Sequence, residues 1–394
     1  MPTAVIVDAV RTAGGKRNGK LSGWHPADLA GEVLKQLVER NQLDPALIDD
    51  VIMGCVMQVG NQGLNIGRNA VLAAGFPESV PATSIDRQCG SSQQAAHFGA
   101  QGVIAGAYDI VVAAGVEVMT TTPMGASMTP GSLPFGHRVL ARYTDPGLVP
   151  QGISAEMIAD KWGLSREELD AYGAESVRRA EVATAEGRFD NEIVGVTEKR
   201  LDKETGNIVE SDALVLQDEG IRPGTTVESL ANLKPAFKPD GKVTAGNSSQ
   251  ICDGASAMLI MSEEKANELG LTPRARFHTF ALAGVDPVTM LTGPIPATQK
   301  VLDKAGLSLD DIDLVEINEA FASVVLAWQK ESGADLDKVN VNGGAIALGH
   351  PLGASGTKLM TTLVHALKQR NKRYGLQTMC EGGGLANVTI IERL

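Results

Sequence analysis

Two thiols and one imidazole stand in backbone contexts suited to acyl chemistry. Cys89 lies in Gln88-Cys89-Gly90-Ser91-Ser92, after the strand-like Thr83-Ser84-Ile85 and before a helix of small residues. A thiol at a helix N-terminus meets unpaired N–H groups and the positive end of the helix dipole, and both favour thiolate. Gly90 removes bulk beside the sulfur, so a carbonyl carbon could approach. The competing reading is a buried structural cysteine, since free cysteines are commonly buried. His350 follows Asn340-Val341-Asn342-Gly343-Gly344-Ala345-Ile346-Ala347-Leu348-Gly349 and precedes Pro351. A glycine-rich backbone of this kind approaches a ligand closely, and an imidazole there could activate a thiol or donate to a developing oxyanion. A loop histidine bonded to backbone is the alternative. Cys380-Glu381-Gly382-Gly383-Gly384 again sets a thiol against a glycine run; a β-bulge or tight turn would read the same way. In Asn318-Glu319-Ala320-Phe321-Ala322, polar residues end an apolar strand, and Asn318 would serve as a plain N-cap.

The elements that must position these residues alternate. Strands are expected at Ala4–Asp8, Val51–Val56, Ile110–Gly115, Arg274–Ala283, Asp313–Ile317, Gly375–Met379 and Ala386–Ile391. Helices are expected at Pro26–Arg40, Asn65–Ala74, Gly90–Ala105, Pro296–Ala305, Ala320–Glu331 and Gly353–Arg370. Such alternation implies α/β layers with largely parallel sheets. Ile48-Asp49-Asp50-Val51-Ile52 resembles Ile312-Asp313-Leu314-Val315-Glu316 at an offset of 264 residues, and a Gly-rich strand-to-helix junction follows later in each half. Two similarly folded halves are therefore expected. The middle differs: Met119–Thr129 is rich in Thr, Met, Pro and Gly, and helices follow near Ser154–Lys161 and Ser165–Glu186. Ser165-Arg166-Glu167-Glu168 has the form of a capping box. This stretch reads as an insertion on the first half that covers a site.

Composition bounds the partners. With 394 residues, 43% hydrophobic and 21% charged, the chain is an ordinary globular protein of more than one domain's length. A net charge of −12 argues against gripping nucleic acid over the whole surface. Four cysteines lie far apart and never as C-x-x-C, which disfavours a metal site or a disulfide scaffold and fits reduced thiols. The longest apolar runs, such as Ile110 to Val116, are too short for a membrane span. The start shows no basic-then-apolar leader and the end no peroxisomal-type address, so a cytoplasmic location is expected. The dinucleotide fingerprint and the P-loop are both absent.

Taken together, these segments resemble the thiolase family, the acetyl-CoA acetyltransferases and 3-ketoacyl-CoA thiolases, over essentially the whole chain. The likeness rests on Asp8-Ala9-Val10-Arg11-Thr12, Cys89-Gly90-Ser91, Thr244-Ala245-Gly246-Asn247-Ser248-Ser249 with Asp253-Gly254-Ala255, and Gly293-Pro294-Ile295-Pro296-Ala297. It continues through Asn318-Glu319-Ala320-Phe321, Asn340 to Gly356, and Cys380-Glu381-Gly382-Gly383-Gly384. All of these in family order outweigh the structural readings of Cys89, His350 and Cys380.

The resemblance implies a thiolase-like fold of two similar βαβ-rich halves in five α-β-α-β-α layers. Residues 1–118 with 248–272 would form the N-terminal half, 119–247 an inserted loop domain that binds coenzyme A, and 273–394 the C-terminal half. It implies that Cys89 is acylated with His350 as base, and that Cys380 moves the α-proton of acetyl-CoA, its thiol lying close enough to neutral pH to work in both directions. One oxyanion would be held by His350 and a water fixed by Asn318, the other by the N–H groups of Cys89 and Gly382. Coenzyme A contacts carried over are Arg222, Ser229, Phe237, Ala245 and Ser249, with Ala320 and Phe321 lining the pantetheine tunnel and Met290 near the acyl end. Arg222 suits the nucleotide phosphates; Lys234 and Lys238 read as solvated surface charges. No permanently bound cofactor is implied, only acyl-CoA, acetyl-CoA and free coenzyme A as substrates, in a homodimer or homotetramer.

Two departures bear on substrate. Many members have Asn three residues before the nucleophile, where this chain has Asp86 followed by Arg87, and a buried pair between them would keep the carboxylate from opposing thiolate. Many short-chain members carry His-Met before Gly in the loop domain, where this chain has Pro150-Gln151-Gly152. With the run at 87–94, these features look more like bacterial degradative thiolases, including steroid side-chain ones, than an acetyl-CoA C-acetyltransferase making acetoacetyl-CoA. A decarboxylating ketosynthase is disfavoured by Cys380, and a non-catalytic acyl-CoA or lipid carrier by the intact Cys89, His350, Asn318 and Cys380.

Overall fold

The computed structural model describes residues 2–394. Runs of Val, Ile and Ala without polar alternation form strands covered on both faces, as central strands between helical layers should be. The first half contributes β1 (Ala4–Arg11), β2 (Gly15–Lys16), α1 (Pro26–Arg40), β3 (Asp50–Gly54), α2 (Ile66–Ala73), β4 (Ala82–Ile85), α3 (Ser91–Ile104) and β5 (Ile110–Val118). Next come α4 (His137–Arg142), α5 (Gln151–Lys161), α6 (Arg166–Ala185), β6 (Val196–Leu201), β7 (Ile208–Val215) and α7 (Val227–Ala231). β8 (Cys252–Ser262) returns beside β5 and leads through α8 (Glu263–Glu268) to β9 (Ala275–Gly284). The second half runs α9 (Pro294–Ala305), β10 (Leu314–Ile317), α10 (Ala322–Ser332), α11 (Ala345–Leu348), α12 (Ser355–Gln369), β11 (Tyr374–Glu381) and β12 (Leu385–Arg393).

The halves repeat one topology. β3 pairs parallel with β4 and β5, β5 antiparallel with β8, and β8 antiparallel with β1. In the second half β10 pairs parallel with β11, β11 antiparallel with β12, and β12 antiparallel with β9. The place of β4 is held there by a parallel bridge between Val315 and Val339. A short antiparallel contact of β1 with β9 at Val5 and Ile6 joins the halves into one ten-stranded sheet. The offset found in the sequence has a structural counterpart. The Asp49 carboxylate accepts from the N–H groups of Asp109 and Ile110, and the Asp313 carboxylate accepts from those of Arg373 and Tyr374.

Helices α1 and α2 cover the outer face of the first half, α9 and α10 that of the second, and α3 packs against α12 between them. Three apolar cores separate these five layers. Leu34, Val112 and Leu259 belong to the first, Ala96, Met258, Met360 and Leu363 to the central one, and Val301, Trp328 and Val388 to the last. The central helices come close because β5 carries Gly115, where a Cβ would stand 2.2 Å from the Gly353 carbonyl oxygen.

β6 and β7 form a separate two-stranded sheet, and the capping box of Ser165 and Glu168 starts α6. Several helix starts differ from the sequence reading, and two of them bear on the site. A 3-10 turn at Leu352–Ala354 delays α12 to Ser355. Helix α10 begins at Ala322 with Phe321 as its cap, so Asn318 is not an N-cap. Its amide faces His350 instead, and the chain at Phe321 is held extended by a bridge to Ser248.

Candidate active site

The repeat brings equivalent ends of the two halves together. Cys89 closes the β4–α3 junction, His350 the approach to α12, Asn318 the end of β10, and Cys380 lies one residue before the end of β11. Because α3 and α12 pack side by side, their N-termini meet. Leu352, beside His350, and Met379, beside Cys380, share one apolar cluster with Cys89.

Cys89 is 5% exposed. Burial pushes its thiol up to about 12, the Glu381 carboxylate adds to this, and the backbone N–H groups of Cys89 and Gly382 act against it. Backbone N–H groups do favour thiolate, as the helix start suggested, but burial outweighs them. The same two N–H groups lie where negative charge on a sulfur-bound tetrahedral centre would develop. Cys380 is fully buried, and burial, then Cys89, then Glu381 raise its thiol well above the ordinary range. The reading of Cys380 as a thiol close to neutral pH is corrected on the same ground. Gly382 to Gly384 turn β11 into β12, so the tight-turn reading of this run holds as well.

His350 is neutral. Burial, then Lys358, lowers its imidazole to about 3. Nδ1 stands 2.5 Å from Ser355 Oγ, whose hydroxyl donates to the Pro351 carbonyl at 2.8 Å. The serine oxygen thus accepts from Nδ1–H, which leaves the lone pair on Nε2. Nε2 lies 3.3 Å from Asn318 Nδ2. Lys358 Nζ donates to the carbonyls of Leu348 (2.7 Å) and Gly349 (2.8 Å), fixing the loop that carries the imidazole. Ser355→Ala is expected to lower kcat/KM roughly 5- to 150-fold, the equivalent of ~1–3 kcal/mol for orphaning a buried polar group. Steady-state kinetics checks it, and an unchanged value would mean that Ser355 does not set the tautomer.

Glu319 anchors the glycine loop from beneath. It accepts from Tyr172 Oη (2.9 Å), Ser176 Oγ (2.7 Å), Asn340 Nδ2 (3.1 Å) and the Ile346 N–H (3.0 Å). Sequence reasoning did not assign Glu319, Ser355, Lys358 or Glu381 a part. The sequence signal for Ser355 was its place at the start of a helix, 264 residues after Ser91 at the start of α3. Asp86 forms no ion pair with Arg87, contrary to the pair considered above. It caps a local turn, accepting from the Gln88 N–H at 2.6 Å while Gln88 takes a positive φ of 49°.

Of the residues carried over for coenzyme A, Met290, Ala320 and Phe321 pack with Cys380 in one apolar cluster. Phe237 meets Phe321 edge to face at 5.9 Å and is 42% exposed, which makes it the outer end of that wall. The Ser249 N–H donates to the Ala320 carbonyl at 2.9 Å. Arg222, Ser229 and Ala245 lie exposed and have no contact with the thiols. Ser229 closes a capping box with Thr226 at the start of α7, and Arg222 has no carboxylate partner among the described residues. Lys238 pairs with Asp160 at 3.1 Å. Gln151 opens α5, and its amide nitrogen is 3.4 Å from where a Cβ on Gly382 would stand, with Gln88 Oε1 at 3.0 Å from the same point. Among the described residues no cluster of His, Cys, Asp and Glu suits a metal ion, and no helix is long and apolar enough to cross a membrane.

The arrangement can form and break a thioester: a thiol, a neutral base, paired N–H groups, and a second thiol close enough to sense the first. Known proteins agree. The model for the thiolase N-terminal domain matches residues 4–264 and that for the thiolase C-terminal domain residues 271–393. A steroid 3-ketoacyl-CoA thiolase of Mycobacterium tuberculosis is 52% identical over 100% of this chain and 95% of its own length. A 3-ketoacyl-CoA thiolase of Pseudoalteromonas translucida is 46% identical over the full length of both. The crystal structure of an acetyl-CoA acetyltransferase of Bacillus anthracis superposes with a TM-score of 0.89 at 40% identity, covering 100% of this chain and 99% of the other.

Proposed function

Because this chain belongs to the thiolase family, we propose that it cleaves 3-ketoacyl-CoA thioesters reversibly through an acyl group on Cys89, in the breakdown of fatty-acyl or steroid side chains. As a thiolase it is an acyltransferase whose family works on coenzyme A thioesters. In thiolysis, Cys89 Sγ attacks the 3-keto carbon and its proton passes to His350 Nε2. The bond between C2 and C3 then breaks, and the enolate carbon of the departing acetyl-CoA takes the Cys380 proton. A coenzyme A thiol next attacks the acyl-sulfur bond and returns a proton to Cys380. Cys89 leaves as thiolate and recovers its proton from His350. The oxyanion on the Cys89 adduct is held by the N–H groups of Cys89 and Gly382, and the enolate oxygen by His350 and a water on Asn318. The inserted segment 119–247 supplies much of the coenzyme A surface in this reading, with Arg222 toward the phosphates.

The observation that carries the reading is that Cys89 lies in one packed apolar cluster with Met379, the neighbour of Cys380, and with Leu352 of the loop that carries His350. That packing requires one site rather than two. A preference for long or ring-bearing acyl groups is supported by Gln151 and Gln88 above Gly382, and by the steroid thiolase likeness. The second reading, an acetyl-CoA C-acetyltransferase making acetoacetyl-CoA, is supported by the likeness to the B. anthracis enzyme. Thiolysis rates across 3-ketoacyl-CoA substrates, from four carbons to ring-bearing chains, separate the two. The first reading expects kcat/KM to rise by about tenfold or more along the series, since each methylene bound in an apolar pocket contributes ~1 kcal/mol. A maximum at four carbons selects the second reading.

A further inference from the structure

We propose that Glu381 is a carboxylic acid held neutral beside Gly90, next to the nucleophilic thiol, and that its ionisation in alkaline solution suppresses thiolate formation at Cys89. The proposal rests on the thiolase reading of those thiols. Glu381 ends β11 directly after Cys380 and is fully buried. It presses on Gly90, the neighbour of Cys89: a Cβ there would stand 2.0 Å from Glu381 Oε1 and 2.8 Å from its Cδ. Neither carboxyl oxygen has a hydrogen-bond partner.

The repeat supplies an internal control. At the same 264-residue offset, Glu117 holds the corresponding place on β5 and is equally buried. It accepts from the Val56 N–H (2.9 Å), the Met57 N–H (3.1 Å), Gln62 Nε2 (2.6 Å) and the Gly353 N–H (2.8 Å). Gly353 is the counterpart of Cys89 by the same offset. Glu381, by contrast, accepts from no N–H of the Cys89 turn and so lacks the donor that Gly353 gives Glu117. A buried carboxylate without donors is costly, and the neutral acid is favoured.

Burial accordingly raises Glu381 to about 8. From the β4–α3 junction Arg87 favours the charged form and Asp86 opposes it. From β12 the Asn387 N–H lies close enough to favour charge without bonding either oxygen in good geometry. The Asn387 side chain donates to the Gly90 carbonyl at 2.9 Å, and its Oδ1 has no donor. The Glu381 carboxyl and the Asn387 amide nitrogen crowd the same point beside Gly90. Cys89 and Cys380 are the remaining groups, and each is made harder to ionise by a charged Glu381.

Thiolate and carboxylate then compete. While Glu381 is neutral, the Cys89 thiolate fraction grows about tenfold per pH unit. As Glu381 ionises, the charge it gains makes Cys89 harder to deprotonate, and that growth stops. Iodoacetamide alkylation of Cys89 in the full chain, followed by mass spectrometry, reads this without turnover. The wild-type rate is expected to rise with pH and level off near pH 8, whereas Glu381→Gln keeps rising. Glu381→Asp, which keeps a titrating group, restores the levelling and serves should the glutamine variant not fold. A wild-type rate that climbs without a break, or a glutamine variant that levels at the same pH, overturns the proposal. Alkylation as expected in a protein that turns over no 3-ketoacyl-CoA would sink the functional reading and leave this one standing.

Discussion

Cys89→Ala is expected to lose acyl transfer altogether, with kcat down on the order of a millionfold, the scale seen when a covalent nucleophile is removed from an acyl-transfer site. Protein incubated with radiolabelled acetyl-CoA should carry label in the wild type and none in the variant. The geometry explains why nothing else can substitute. Cys89 alone stands at the start of α3 in one apolar cluster with Leu352 of the His350 loop and with Met379 beside Cys380. Apart from Cys380, the other buried thiols face different groups: Cys55 faces Glu117, and Cys252 packs under Gly349. Since burial keeps Cys89 protonated at neutral pH, its proton must leave as the sulfur attacks. This is the work of a base with a free lone pair on Nε2, and the Ser355 bond to Nδ1 provides it. Label that persists on the Cys89→Ala protein would end the assignment.

Cys380→Ala is expected to divide the reaction. Acylation of Cys89 should proceed within a few-fold of wild type, while condensation and cleavage fall ~10²–10⁴-fold, the usual contribution of a general acid or base. The division follows from position. Cys380 lies against Met290, Ala320 and Phe321, the wall along which the second thioester is read to enter. A Cys89 thiolate would raise its thiol further, which places the two sulfurs near one another. Label transfer and thiolysis measured on one preparation separate the half-reactions. Equal loss of both would mean that Cys380 supports the site only by packing.

Much of this site was legible because it is built from backbone constraints that leave marks in sequence. The glycine runs beside His350 and Cys380, the small residues after Cys89 and the Asp49/Asp313 repeat each encode a local requirement that few residue types satisfy. Helix boundaries with caps were equally plain, and α1 spans Pro26–Arg40 as its pattern indicates. The charge state of the site was not legible. From the sequence, a helix N-terminus pointed to an acidic thiol at Cys89. In the fold the thiol is raised, because the dipole is local whereas desolvation depends on everything packed around it. Asn318 looked like a cap and Asp86 like half of an ion pair; tertiary contacts gave the first to His350 and the second to a turn.

The chain order of motifs and the doubled βαβ pattern by themselves indicated the fold class and the family and singled out two sulfurs as the candidates for the chemistry. Only the packing of α3 against α12 decided that the segments carrying those sulfurs meet, which nitrogen of His350 bonds Ser355, and that Glu381 lies unbonded beside Gly90. Local propensity and covalent chemistry are properties of short segments. Solvent exclusion and hydrogen-bond partnership belong to segments separated by hundreds of residues and come into being only once the layers close.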